Sequence, residues 1–192
     1  MPQGNTALGV RPGPALRQRW ISLKTFKVKA VIQRLPFPAG FKCGSPEEVV
    51  EAARAIFGRL DADREHVVLL ALNNKNRLNG YKIISTGSLT NSIIHPREVW
   101  RAALYLCAAA VIVVHNHPSG TADPSFEDQE ITWRLKKNAD LLGIRMLDHL
   151  IIGEQGHFSF SDRGLMDEPL APARLARDKQ RSKKRDRNRT GT

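Results

Sequence analysis

Cysteine is scarce in this sequence: two residues among 192, Cys43 and Cys107, with no closely spaced pair. That excludes a disulfide framework and a cysteine-ligated zinc. Cys107, in an alanine-rich apolar stretch, is expected to be a small core residue. Long apolar runs are missing as well. The longest uncharged apolar stretch, Ala102–Val114, falls short of the ~18–20 residues that span a bilayer. The opening residues, MPQGNTALGVRPGP, lack the apolar centre of a secretory signal. A soluble, cytoplasmic protein with no membrane partner is the expectation.

Acidic residues are absent from residues 1–42, which carry a net charge of +8, whereas residues 43–169 come to −4 and residues 170–192 to +7. The overall charge of +11 therefore belongs to two arms. A basic globular face for nucleic acid would require the middle segment to be basic, and it is not. The arms themselves are expected to bind nucleic acid without sequence preference, if they bind it at all. Within the first arm, residues 1–42, the alternation of Lys24–Gln33 fits a half-exposed strand. The tail, residues 169–192, has few apolar residues and no core pattern, so disorder is expected.

The chemistry gathers in VIVVHNHPSGTADPSFED, residues 111–128. The β-branched run Val111–Val114 predicts a buried strand that stops as His115 and His117 appear. Side chains two apart on a strand share a face, so both imidazoles can reach one cation while Asn116 points away. Pro118 ends the strand. Ser125 followed three residues later by Asp128 has the pattern of a helix N-terminus. That places a carboxylate in the first helical turn, ionised and available as an oxygen ligand. Two imidazoles and one carboxylate leave a fourth position for water, the arrangement of a catalytic zinc rather than a closed structural one. One Zn²⁺ per chain is expected. A competing reading makes Ser125 an N-cap and Asp128 its capping-box partner.

At this point the chain resembles the JAMM metalloproteases of the JAB/MPN domains. The residues that carry the likeness are His115-Asn116-His117-Pro118, Ser125 and Asp128. Within that group it is similar to the bacterial RadC branch, through SPEEVV, NNKNRL, TGSLTNSIIHPREVWRAAL, HNHPSG, PSFED and LGIRMLDHLIIG. The resemblance covers about Ser45 to Leu165 and assigns residues 43–168 to a RadC-like JAB/MPN domain. The helix-hairpin-helix region usual in RadC proteins has no counterpart in the short, Pro/Gly-rich segment 1–42.

The remaining pattern is one of strands interleaved with helices. Ser45-Pro46-Glu47-Glu48 opens a helix to about Leu60, with Val49, Val50, Ala53, Ile56, Phe57 and Leu60 facing the core. Val67–Asn73 reads as a buried strand and Tyr81–Ser85 as its neighbour. A helix from Pro96 is expected to bury Val99, Ala102, Ala103, Leu106 and Ala110. Another, after Ser125, should run to Leu142 on Ile131, Leu135 and Leu142, with Gly143 stopping it. Arg145–Ile152 reads as a strand, and Gly153–Gly156 as a hairpin turn into His157–Phe160. The sum is an α/β (α+β layered) fold. The resemblance sharpens it to the JAB/MPN, cytidine-deaminase-like mixed sheet flanked by helices.

The resemblance further implies hydrolysis of a peptide or isopeptide bond, with a peptide or protein as substrate. In JAMM enzymes a glutamate at the start of an earlier strand handles the proton, and Glu65 occupies that place. The Ser125 hydroxyl would support the oxyanion. The spacings of zinc deaminases, HExxH metalloproteases, GxSxG hydrolases and P-loop enzymes are absent. The alternative function is a DNA-associated module, non-catalytic or nuclease-like, linked to DNA repair or mobile elements. His95 and His149 match recurring RadC motifs without an assignable role.

Overall fold

The computed structural model describes residues 37, 38, 40–87 and 94–167. The strand expected at Lys24–Gln33 and the basic tail lie outside them. The eight elements are α1 (Pro46–Phe57), β1 (His66–Leu72), β2 (Leu78–Thr86), α2 (Pro96–Tyr105), β3 (Ala110–Asn116), α3 (Phe126–Leu142), β4 (Arg145–Ile152) and β5 (His157–Ser159). The strands form one mixed sheet in the order β2-β1-β3-β4-β5. The β3–β4 pair is parallel and the other three are antiparallel. This is an α/β architecture consistent with the JAB/MPN fold.

Helix α1 starts where its capping box demands: the Ser45 side chain accepts from the Glu48 N–H, and the Glu48 side chain answers at the Ser45 N–H. Its Val49, Ala52, Ala53 and Ile56 are buried against Val68, Leu70, Leu72, Ile112, Val114, Leu150 and Ile152 on one sheet face. The opposite face, Val67, Leu69, Val111, Val113 and Ile151, packs on Val99, Trp100, Ala102 and Ala103 of α2 and on Ile131, Leu135 and Ala139 of α3. Both faces of β1 and β3 are thereby covered, which explains their unbroken apolar runs. Fully buried side chains such as Leu69 and Leu135 each contribute about 1.5–3 kcal/mol of transfer free energy.

Three expectations are corrected. Helix α2 ends at Tyr105, so neither Leu106 nor Ala110 belongs to it; Leu106 is its C-cap and Ala110 opens β3. The alanines favour a helix locally. The sheet wins because the Ala109 N–H donates to the Leu72 carbonyl and the Ala109 carbonyl accepts from Arg145. The change of direction occurs at Cys107, whose φ is +48°, and the turn leaves that residue exposed rather than in the core. Leu142 is also exposed, its expected place in the core being taken by Ala139 one turn earlier. Gly143 ends α3 in the left-handed conformation, φ +66°, which costs glycine no Cβ clash.

Among the described residues no helix is long and apolar enough to cross a membrane.

Candidate metal centre

Strand β3 runs further than its apolar letters indicate, so His115 lies inside the sheet and is completely buried. It pairs with Val67 of β1, whose side chain belongs to the face covered by α2 and α3. His117 follows two residues later, past the end of the ladder with β1 but still tied to β4, its N–H donating to the Ile152 carbonyl at 3.0 Å. Asn116 turns to β1 instead. Its Oδ1 accepts from the His66 N–H at 2.8 Å and its Nδ2 donates to the Arg64 carbonyl at 2.9 Å, which anchors the start of β1 beside the two histidines.

Asp128 reaches the same place from the first turn of α3. Ser125 caps that helix, and the competing structural reading of this pair is realised in full. The Asp128 N–H donates to Ser125 Oγ at 3.0 Å, while Asp128 Oδ2 accepts from the Ser125 N–H at 2.8 Å and its hydroxyl at 2.6 Å. Those bonds hold the carboxylate with Oδ1 toward His115 Nε2, 3.4 Å away, and Oδ2 toward His117 Nε2, 3.8 Å away. Capping therefore aims the carboxylate rather than replacing its role in the cluster.

His115, His117 and Asp128 each bring a donor atom to within 4.8 Å of the others, a group that can hold a metal ion. The two Nε2 atoms are 3.1 Å apart. His117 Nδ1 meets the Thr121 carbonyl at 3.0 Å; a carbonyl only accepts, so Nδ1 carries a hydrogen and Nε2 is the nitrogen turned to the cluster. Burial holds the His115 imidazole well below its ordinary pKa, so its ring is neutral. Burial raises Asp128, but the neighbouring His115 and the hydrogen bonds from Ser125 outweigh it and keep the carboxyl below its usual value. Two imidazoles and an ionised carboxylate converging on one point suit a divalent cation. The His117 and Asp128 side chains remain 16% and 12% exposed, which leaves an approach from solvent.

The loop that carries His117 is pinned from the other side. Gly120, at φ +83°, accepts at its carbonyl from the Glu154 N–H at 2.9 Å. A Cβ at Gly153 would lie 2.6 Å from that carbonyl oxygen and 3.0 Å from the Ala122 nitrogen. Glycine at 153 is what lets the β4–β5 turn press against the His117 loop.

Glu65 immediately precedes β1 and is half-buried. The β1–β3 ladder begins at the Val67↔His115 pair, two residues after Glu65. The Glu65 carbonyl accepts from the Gly87 N–H at 2.8 Å. His95 is the N-cap of α2, its ring accepting from the Arg97 N–H. His149, to which the sequence assigned no role, touches the cluster: its Nε2 lies 2.9 Å from His115 Nδ1. A histidine beside Asp148 in the strand LDHLIIG, followed by the apolar Leu150, Ile151 and Ile152, was the available signal.

Burial pushes His149 down to about 4. An unfolded histidine titrates near ~6.5, so between those values the unfolded chain binds more protons than the folded one. Stability therefore rises with pH across this window and is lost as pH falls through it. In chelator-treated protein, urea unfolding should show this slope, and His149→Phe should make it shallower. An unchanged slope would contradict the neutral, buried assignment.

A model of the RadC-like JAB domain matches residues 43–165. A UPF0758 protein of Chlorobaculum parvum is 44% identical over 122 residues, covering 61% of this chain and 55% of that protein. One from Syntrophotalea carbinolica is 51% identical over 106 residues, 55% of this chain and 47% of its own length. Another, from Caldanaerobacter subterraneus subsp. tengcongensis, is 41% identical over 150 residues, 75% and 64% of the respective chains. This chain spans about half the length of the first of these relatives.

Proposed function

The chain belongs to the RadC-like JAB domain family, and from that premise we propose that it is a zinc-dependent hydrolase of the JAMM type, cleaving a peptide or isopeptide bond in a peptide or protein substrate. The observation that carries the reading is the convergence of His115 Nε2 and His117 Nε2 on the Asp128 carboxylate, Oδ1 lying 3.4 Å from the first and Oδ2 3.8 Å from the second, at a place where solvent has access. These three residues would hold the ion. Zinc in such a set supplies Lewis acidity that makes water a nucleophile near neutral pH.

The chain's own residues divide the remaining work. Glu65, two residues ahead of the Val67↔His115 pair, is assigned to take the proton of the attacking water and return it to the departing amine. The Ser125 hydroxyl directs its one hydrogen to Asp128 Oδ2; supporting an oxyanion requires it to swing away from that carboxylate, while the Ser125 N–H keeps Oδ2 in place. Arg64, held at its carbonyl by Asn116, fixes the backbone from which Glu65 departs.

Purified full-length protein should contain one zinc per chain by elemental analysis and should cleave members of a peptide library. A chelator should abolish cleavage and added zinc restore it. Metal-free protein with undiminished cleavage would overturn the proposal.

A further inference from the structure

The hydrogen bonds behind His115 form a chain whose direction is fixed at its far end. Thr132 Oγ1 lies 2.5 Å from the Asp128 backbone carbonyl and 2.5 Å from His149 Nδ1. A carbonyl cannot donate, so the single hydroxyl hydrogen must lie between Thr132 and Asp128; otherwise two lone pairs would face each other at that distance. Thr132 must then accept from His149, which places the His149 proton on Nδ1. His149 Nε2 is left as an acceptor, and the only hydrogen available to the 2.9 Å contact with His115 Nδ1 is the one on His115. His115 Nε2, facing His117 and Asp128, is therefore bare.

The rest of the environment allows His149 no other pose. Its ring is fully buried and stacks on Phe160, with centroids 5.1 Å apart and planes 12° from parallel. Its carbonyl accepts from the Phe160 N–H at 3.0 Å. Its own N–H donates to Asp148 Oδ1 at 2.7 Å, and the same carboxylate accepts from Ser159 Oγ and the Ser161 N–H. Backbone and ring are both held, so the tautomer is the one remaining freedom, and Thr132 removes it.

We propose that Thr132 and His149 are positioning residues that relay the acceptor character of the Asp128 carbonyl to His115 and thereby lock His115 in the tautomer whose Nε2 can bind a cation. Asp128 then acts twice: its carboxylate faces the ion, and its backbone carbonyl dictates which nitrogen of the opposite ligand is free. The role in cation binding rests on the metal reading given above. The tautomer assignment does not.

The test is long-range proton–nitrogen correlation of the imidazoles in ¹⁵N-labelled, chelator-treated full-length protein, followed by titration with zinc alone. His115 and His149 should both be protonated at Nδ1. In Thr132→Val, His149 should shift toward the Nε2-protonated form, His115 should follow, and zinc affinity should fall about 10–100-fold, the usual loss on removing a partner behind a ligand. Thr132→Ser, which keeps the hydroxyl, should restore both readouts. A proton on His115 Nε2 in the wild-type spectrum would overturn the relay without recourse to any variant. So would a folded Thr132→Val protein with unchanged tautomers and zinc affinity. Wild-type protein with the expected tautomers but no zinc binding would retain the relay and defeat the metal reading instead.

Discussion

The Glu65→Gln protein is expected to keep its fold and one metal ion per chain while turning over about 10²–10⁴-fold more slowly, the scale of losing a positioned proton-transfer group. The amide is nearly isosteric with the carboxylate, and Glu65 is outside the three-donor group, so metal content should not change. What disappears, on the proposed reading, is the base that precedes β1 two residues before the Val67↔His115 pair. Glu98 provides the control. It lies in the first turn of α2, where a carboxylate is favoured by the exposed backbone N–H groups, and it pairs with Arg97 and Arg101 on the surface. Its replacement by Gln should leave turnover within about twofold, since exposed pairs of this kind contribute little. If Glu98→Gln abolished cleavage and Glu65→Gln did not, the assignment of Glu65 as the base would be wrong.

His117→Ala is expected to cost more than 10²-fold in zinc affinity, beyond the ~10–100-fold associated with a partner behind a ligand, and cleavage should vanish with the metal. The effect should be confined to the site. The His117 side chain is partly exposed and is held by the Thr121 carbonyl and by the contact with His115 Nε2, so unfolding in chelator should change by no more than about 1–2 kcal/mol. Ser125→Ala should do the reverse: lose about 1 kcal/mol of stability through the missing cap and retain measurable zinc, because Oδ1 of Asp128 is not the oxygen that Ser125 holds. Equilibrium dialysis with zinc separates the two. Stoichiometric, tight zinc in His117→Ala would remove that residue from the site.

Local spacing made much of this legible. The H-x-H pair, the Ser125/Asp128 interval and the Gly143 stop each operate within a few residues, where strand alternation and helix capping are strict. The ends of α2 and β3 were misread because alanine's helical preference is weak against ladder bonds supplied by Leu72 and Arg145, which are distant in sequence. The role of His149 was hidden for the same reason. Its partners Thr132 and His115 are 17 and 34 residues away, and a sequence does not show which buried ring meets which. Cys107 could not be placed without knowing that the chain reverses there with a positive φ.

The parallel pairing of β3 with β4 has a temporal consequence. His115 and His117 precede the α3 crossover, Asp128 begins it, and His149 follows it on β4. An incompletely folded chain already owns the adjacent histidine pair, yet nothing then dictates which imidazole nitrogen is bare. Parallel strands need a long connection, and contacts distant in sequence must first overcome the entropy of closing the intervening chain. On the proposed metal reading, firm cation capture is expected late in refolding, and a zinc-responsive dye followed during renaturation should time the closure of the crossover rather than the first collapse.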